Sequence, residues 1–137
     1  MNYRLDKYGN KISILGFGCM RFTQTLGKID IVKAEQEIMT AFRAGVNYYD
    51  TAYVYLGSEA AIGEIFEKNK IREQVYIATK LPHYLIKSID GMEKLFNEEL
   101  RRLQTDYIDY YLLHSVKGLE SFNTRFKDNG MIDFLLE

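Results

Sequence analysis

The chain has 137 residues, enough for one domain with its own core, and its 47% hydrophobic and 27% charged residues lie in the ordinary globular range. A formal net charge of -1 excludes a general binder of nucleic acid or anionic lipid, and no apolar run approaches the roughly 18 residues that span a bilayer. The opening MNYRLDKYGN lacks the apolar core of a signal peptide. The single cysteine, Cys19, allows no intrachain disulfide and no cysteine-based metal or iron–sulfur site, so a reducing cytoplasm and no metal centre are expected.

Tyr3 to Leu5 and Lys11 to Ser13 read as a small hairpin around Tyr8-Gly9-Asn10, where Gly and Asn suit positive φ. ISILGFG, from Ile12 to Gly18, reads as a buried strand running into Gly16 and Gly18. Asp30 is a candidate N-cap for a helix reaching Arg43, with Val32, Ile38, Met39 and Phe42 at helical spacing and Gly45 as its stop. Val46 to Asp50 is a second strand. Ser58 is then expected to cap a helix from Glu59 to Lys68, whose first turn carries a favourable acid. Val75 to Lys80 is a third strand, stopped by Pro82. Ser88 or Asp90 starts a helix to Leu103, with Ile89, Met92, Leu95, Phe96 and Leu100 on one face and a Glu98–Arg102 pair on the surface. Tyr107 to His114 is a fourth strand, and Leu119 to Glu137 is partly helical, its MIDFLLE reading as a helix cut short.

Strands alternating with helices of this length imply parallel strands joined by crossovers. No Gly-x-Gly-x-x-Gly or Walker pattern is present, and Gly16-Phe17-Gly18 is too short for a dinucleotide-binding turn. A hairpin followed by about four β/α units leaves two architectures: a small open sheet, or half of an eight-unit barrel.

In parallel α/β folds the site lies at the C-terminal ends of the strands. Three strands here finish on proton-handling residues, Asp50, Lys80 and His114, and Tyr55 follows the first by five positions. Each has an ordinary structural job when taken singly. An Asp after a strand caps a turn, a Tyr packs, and a His is commonly a hydrogen-bonded core residue. Lys80 resists that treatment, because lysine is almost never fully buried unless paired. An Asp50 on the neighbouring strand would offset its desolvation. Together the four point to a site.

These stretches resemble the aldo-keto reductases. YYDTAYVY with SEAAIG (Tyr48 to Gly63) is similar to that family's first signature, ATK (Ala78 to Lys80) to its strand-end lysine, DYYLLH (Asp109 to His114) to its strand-end histidine, and LGFGCMR (Leu15 to Arg21) to its first strand and loop. The resemblance runs in order from Leu5 to about Ser115. It implies a parallel (β/α) TIM-barrel fold of which residues 1–137 form the N-terminal half, four β/α units after a hairpin, with no internal linker. It implies a catalytic tetrad of Asp50, Tyr55, Lys80 and His114, and NADPH as hydride donor to an aldehyde or ketone. Tyr55 would give the proton, Lys80 would favour its phenolate, Asp50 would hold Lys80, and His114 would orient the carbonyl. Gly18, Cys19, Met20 and Asp50 would approach the nicotinamide ribose and amide. The family's main grips on adenine and the 2′-phosphate belong to later units that these residues do not include, so weak cofactor binding and little activity are expected of this fragment. The exposed strand edges make a homo-oligomer the expected assembly. The alternative is a non-catalytic half-barrel that self-associates or binds a protein partner, a use of the fold that accessory subunits of ion channels exemplify.

Overall fold

The computed structural model describes residues 1–86, 88–128 and 130–136. It opens with β1 (Tyr3–Leu5) and β2 (Lys11–Ser13), an antiparallel hairpin in the expected register. Asp6 ties its turn, accepting from the backbone N–H groups of Tyr8 and Asn10, both at 2.8 Å. The expected buried strand over Ile12–Gly18 is much shorter. Ser13 stays in the hairpin, Ile14 and Leu15 are each 59% exposed, and only Phe17–Gly18 forms β3. The reason is Asn47: its side chain accepts from the Ser13 N–H and donates to the Lys11 carbonyl, and its N–H donates to the Ser13 hydroxyl, which commits this segment to the hairpin.

A second hairpin, β4 (Gln24–Thr25) and β5 (Lys28–Ile29), precedes the first long helix and was not expected. Its two turn residues, Leu26 and Gly27, both have positive φ, the geometry a two-residue hairpin needs. α1 (Ile31–Arg43) starts at Asp30, whose carboxylate accepts from Lys33 N–H at 3.1 Å, and buries Ala34 and Ile38; Val32 faces solvent. β6 (Tyr48–Asp50) leads to α2 (Ser58–Asn69). Ser58 does not cap that helix as expected. Gly57, in the left-handed region, occupies the cap, while the Ser58 hydroxyl turns inward to the Cys19 carbonyl and the Thr51 hydroxyl, both at 2.8 Å. β7 (Tyr76–Leu81) is followed by α3 (Ile89–Leu103), capped by Ser88 onto the Gly91 N–H, and by β8 (Tyr110–Leu113). α4 (Leu119–Phe122), a π-helical turn (Asn123–Lys127) and α5 (Met131–Leu136) complete the described chain.

The main sheet is parallel in the order β3-β6-β7-β8, with α1, α2 and α3 in the three connections. It has two faces. Tyr49, Ile77, Thr79, Leu81, Tyr111 and Leu113 meet the helices and their clusters, one built on Ile38, Ile62, Ile65 and Phe66 and the other on Met92, Phe126 and Met131. The alternate residues occupy the opposite face, as strand periodicity requires. There Tyr48, Tyr76 and Tyr110 form a ring layer, with Tyr110 centred 5.4 Å from Tyr48 and 6.1 Å from Tyr76. The Tyr110 hydroxyl hydrogen-bonds Asp6, so the first hairpin closes the N-terminal end of the sheet. Arg72 and Asp109 pair at 2.9 Å at the same end, and Asp109 also accepts from the Ile77 N–H. The opposite end stays open for a site. No helix among the described residues is long and apolar enough to cross a membrane.

Gly63 of α2 lies directly against the backbone at the end of α3. A Cβ there would fall 2.6 and 2.8 Å from the carbonyl carbon and oxygen of Leu103 and would also strike the Arg102 carbonyl. These are backbone atoms, which cannot rotate away. Gly63→Ala would gain helix propensity worth about 1 kcal/mol and lose more to overpacking. An overpacking cost of about 1–3 kcal/mol less that gain leaves a net loss of up to about 2 kcal/mol, expected from urea unfolding, whereas an unchanged midpoint would show that the two helices have room.

Candidate active site

The open rim is built by the ends of four neighbouring strands. Gly18 of β3 lies opposite Asp50 of β6, Asp50 opposite Ala78 of β7, and Lys80 opposite Leu112 of β8. Asp50 and Lys80 therefore stand on adjacent strands, two residues offset, on the face away from the helices. The Lys80 ammonium donates to Asp50 Oδ1 at 2.6 Å and to the Thr51 carbonyl at 2.5 Å. Its side chain is 14% exposed and that of Asp50 39%, so the pair is shielded on the lysine side and open to water on the carboxylate side.

Tyr55 is brought to this pair by a compact loop. Its N–H donates to the Ala52 carbonyl, and its own carbonyl accepts from Ser58 N–H, both at 2.9 Å. The ammonium of Lys80 sits 5.0 Å from the centre of the Tyr55 ring. The His114 ring meets the same tyrosine edge-on with centroids 6.0 Å apart. His114 is fixed by its N–H, which donates to the Leu81 carbonyl at 3.1 Å. Asp50, Tyr55, Lys80 and His114 thus gather at one end of the sheet.

His114 Nδ1 is buried without a hydrogen-bond partner. Burial, then the Lys80 ammonium, then His83 hold the imidazole below its ordinary value, with Asp50 acting in the opposite sense. A neutral ring whose Nδ1 is sealed from solvent can meet a ligand only through its other nitrogen, whose N–H would suit an uncharged acceptor such as a carbonyl oxygen. Next to it, Tyr84 lies with its ring 6.2 Å from His114, and a cavity of 330 Å³ is lined by His83, Tyr84, Ser115, Lys117 and Ser121. A larger cavity of 560 Å³, between Phe96, Ile108, Tyr111, Phe134 and Leu135, opens on the helix side of the sheet, away from the rim.

The remaining expected contacts behave differently from one another. Gly18 has open space where a Cβ would stand, so its backbone is approachable. Met20 is 58% exposed. The Cys19 side chain faces the core, where burial pushes its thiol far up. The whole residue is 0% exposed and its carbonyl accepts from Ser58, so in this arrangement Cys19 presents neither side chain nor backbone to a ligand, unlike the expected contact. Among the described residues no group of three or more His, Cys, Asp or Glu side chains is placed to hold a metal. Two participants were missed in the sequence. The Thr51 carbonyl holds Lys80, and a backbone acceptor carries no side-chain signal. Tyr84 lies five residues past Thr79 in a turn, with only its aromatic character to mark it.

The model of the "Aldo/keto reductase family" matches residues 14–131. An aldo-keto reductase of Mycobacterium sp. (strain MCS) is 35% identical over 111 residues, covering 80% of this chain and 36% of the relative. An NAD/NADP-dependent indole-3-acetaldehyde reductase of Schizosaccharomyces pombe is 36% identical over 110 residues, covering 78% and 37%. A crystal structure described as an aldo-keto reductase of Pseudomonas aeruginosa superposes with a TM-score of 0.81 at 25% identity, covering 98% of this chain and 54% of that one. The chain therefore spans little more than a third of those curated relatives and about half of that solved structure.

A histidine held below its ordinary value binds its proton more readily in the unfolded chain. Stability therefore falls as the pH drops through the unfolded value of 6.5 toward the lower folded one. In an NMR titration the His114 ring resonances are expected to titrate below 6.5, and His114→Asn to flatten this part of the acid-side stability slope. A midpoint at or above 6.5 would mean that the ring is not shielded.

Proposed function

The chain belongs to the aldo/keto reductase family, and from that premise we propose that it carries the proton-transfer half of a nicotinamide-dependent carbonyl reductase. One observation carries the reading: the Lys80 ammonium is shared between the Asp50 carboxylate and the Tyr55 ring, while the His114 ring closes on the same tyrosine. A bound NADPH would supply the hydride that adds to the carbonyl carbon. Tyr55 gives its hydroxyl proton to the carbonyl oxygen, so the product is an alcohol and the phenol oxygen is left negative. Lys80 stabilises that charge as it develops, and Asp50 with the Thr51 carbonyl keeps the ammonium from turning away. His114, neutral, hydrogen-bonds the substrate oxygen and aims it at Tyr55. Asp50, the open Gly18 backbone and exposed Met20 suit the nicotinamide end of such a cofactor. The substrate class is an aldehyde or ketone.

Positioning of cofactor and substrate is worth about 7–11 kcal/mol, whereas general acid catalysis contributes about 10²–10⁴-fold. The 137 residues span only part of their relatives, so they are expected to oxidise NADPH slowly or not at all against a panel of aldehydes, and to bind it weakly. In a barrel completed with the missing half, Tyr55→Phe should lower turnover by about 10²–10⁴-fold and leave cofactor affinity within about twofold. Brisk reduction by the 137 residues alone would overturn the half-site account, and unchanged turnover in the completed Tyr55→Phe protein would overturn the role of Tyr55.

A second reading concerns assembly. β3 and β8 are the edges of the sheet among the described residues, and unpaired edges recruit strands. Two copies related by a two-fold axis along the barrel axis would pair β8 of each with β3 of the other, all parallel, and bring two tetrads to one rim. Sedimentation is expected to show a dimer at micromolar concentration; a stable, folded monomer there would refute the pairing.

A further inference from the structure

The face of β7 opposite Lys80 carries a polar junction that the proposed reaction does not use. Thr79 points between α2 and α3 and is fully buried. Its hydroxyl donates to Glu59 Oε1 at 2.7 Å and lies 3.4 Å from Glu99 Oε1. Glu59, from α2, is 1% exposed, and Glu99, from α3, is 0% exposed. The groups facing them come from every neighbouring element. Tyr111 of β8 donates to Glu99 Oε2 at 2.5 Å. Arg102 of α3 reaches Glu59 Oε2 at 3.3 Å, but it also serves Glu98 at 2.8 Å and the Tyr53 carbonyl at 3.3 Å.

Counting donors separates the two carboxyls. Glu59 receives a hydrogen on each oxygen, from Thr79 and from Arg102, and is satisfied as an anion. Glu99 receives one from Tyr111 on Oε2. With both carboxyls ionised its Oε1 would have only the Thr79 hydroxyl as a donor, the neighbouring Glu59 carboxyl offering none, and the one hydrogen of that hydroxyl is committed to the shorter bond. An ionised Glu99 would leave a buried charged oxygen without a donor, beside a second buried carboxylate and with no guanidinium of its own. A protonated Glu99 removes all three costs, because its O–H can donate to the Thr79 oxygen or to Glu59.

We propose that Glu59 and Glu99 hold one proton between them, carried on Glu99, and that this proton latches α2 and α3 to β7. The latch adjoins the site in two directions. Thr79 is the neighbour of Lys80 in β7, and Arg102 runs from Glu59 to the carbonyl of Tyr53, two residues before Tyr55. Its loss would loosen both supports of the rim.

The energetics agree in sign. Burial, then the charge of Glu59, push Glu99 up to about 9, against the pull of the Tyr111 and Thr79 hydroxyls, and burial raises Glu59 as well. Tyr111 is itself held far above its ordinary range by burial and by Glu99, so it remains a donor throughout. A carboxyl with a raised folded value binds more protons folded than unfolded. Its stabilisation is complete below the ordinary 4.5 and is lost progressively as the pH rises toward 9.

The test is urea unfolding of the whole chain between pH 7 and 9. The wild-type folding constant is expected to fall by up to about tenfold per pH unit. Glu99→Gln supplies the missing N–H donor and still accepts from Tyr111, so its slope should be nearly flat, while the exposed Glu93→Gln should keep the wild-type slope. Parallel slopes for wild type and Glu99→Gln would overturn the proposal. If Glu99→Gln does not fold, ¹³C-carboxyl NMR of the wild type decides. A glutamate resonance titrating above pH 7 and removed by Glu99→Asp supports the latch, and all glutamate carboxyls titrating in their ordinary range, about 4.3, overturn it.

Discussion

The rim depends on keeping one ammonium charged at the end of an apolar strand. β7 runs through Ile77, Ala78 and Thr79, all fully buried, into Lys80, whose side chain is largely removed from water. Such a group must be paired or must lose its charge. Asp50 and the Thr51 carbonyl provide the pairing through bonds of 2.6 and 2.5 Å. Breaking a fully buried pair costs about 3–5 kcal/mol, and the partial exposure of Asp50 places this one toward the low end. The consequence is geometric as well as energetic. The bond to Thr51 fixes the residue that starts the Tyr55 loop, so one ammonium sets the ends of β6 and β7 and the origin of the loop.

The same strand solves a second electrostatic problem on its other face. Because successive strand residues point to opposite sides, Lys80 looks into the open face and Thr79 into the helix layer, one residue apart. The two solutions differ in kind. Opposite charges neutralise the pair facing the rim, where water reaches Asp50. Behind the sheet two carboxyls meet where they are shut off from bulk solvent, and the proposed latch answers this with a shared proton. At the N-terminal end of the strands the tyrosine layer and Asp6 close the face, and a second pair of opposite charges, Arg72 with Asp109, lies beside them. The open face therefore grades from aromatic at one end to ionic at the other.

Much of this was legible in the sequence. The first hairpin, the limits of α1 and α3, the parallel order and the three strand ends follow from caps, glycine and alternation. What escaped did so for identifiable reasons. The inward turn of Ser58 competes with its capping role, and only the positions of Cys19 and Thr51 in space reveal which wins. The second hairpin hides behind Leu26, a poor residue for positive φ. Glu99 was readable and was passed over. Met92, Leu95, Glu99 and Leu103 recur at helical spacing, so the buried stripe of α3 runs through a glutamate. An acid inside an apolar stripe is the signal of a buried, partnered carboxyl. The gathering of Asp50, Tyr55, Lys80 and His114 could be inferred because strand ends in a parallel sheet share a rim. The unused nitrogen of His114 could not, because it depends on what surrounds the ring.

On the proposed function, the division of labour between the halves of the barrel follows from where the contacts lie. Each of the four rim residues is held by another group within these 137 residues: Asp50 by Lys80, Lys80 by Asp50 and Thr51, Tyr55 by its loop and by Lys80, His114 by Leu81 and by the edge of Tyr55. Their mutual geometry therefore needs nothing from a second half. A nucleotide is different. Its phosphates and adenine extend far beyond the reach of four strand ends, and the net charge of -1 supplies no broad basic surface to hold them. Proton transfer is a local task that adjacent strands complete by themselves, whereas cofactor capture is an extended one. A half-barrel can thus preserve the first intact while depending on other residues for the second.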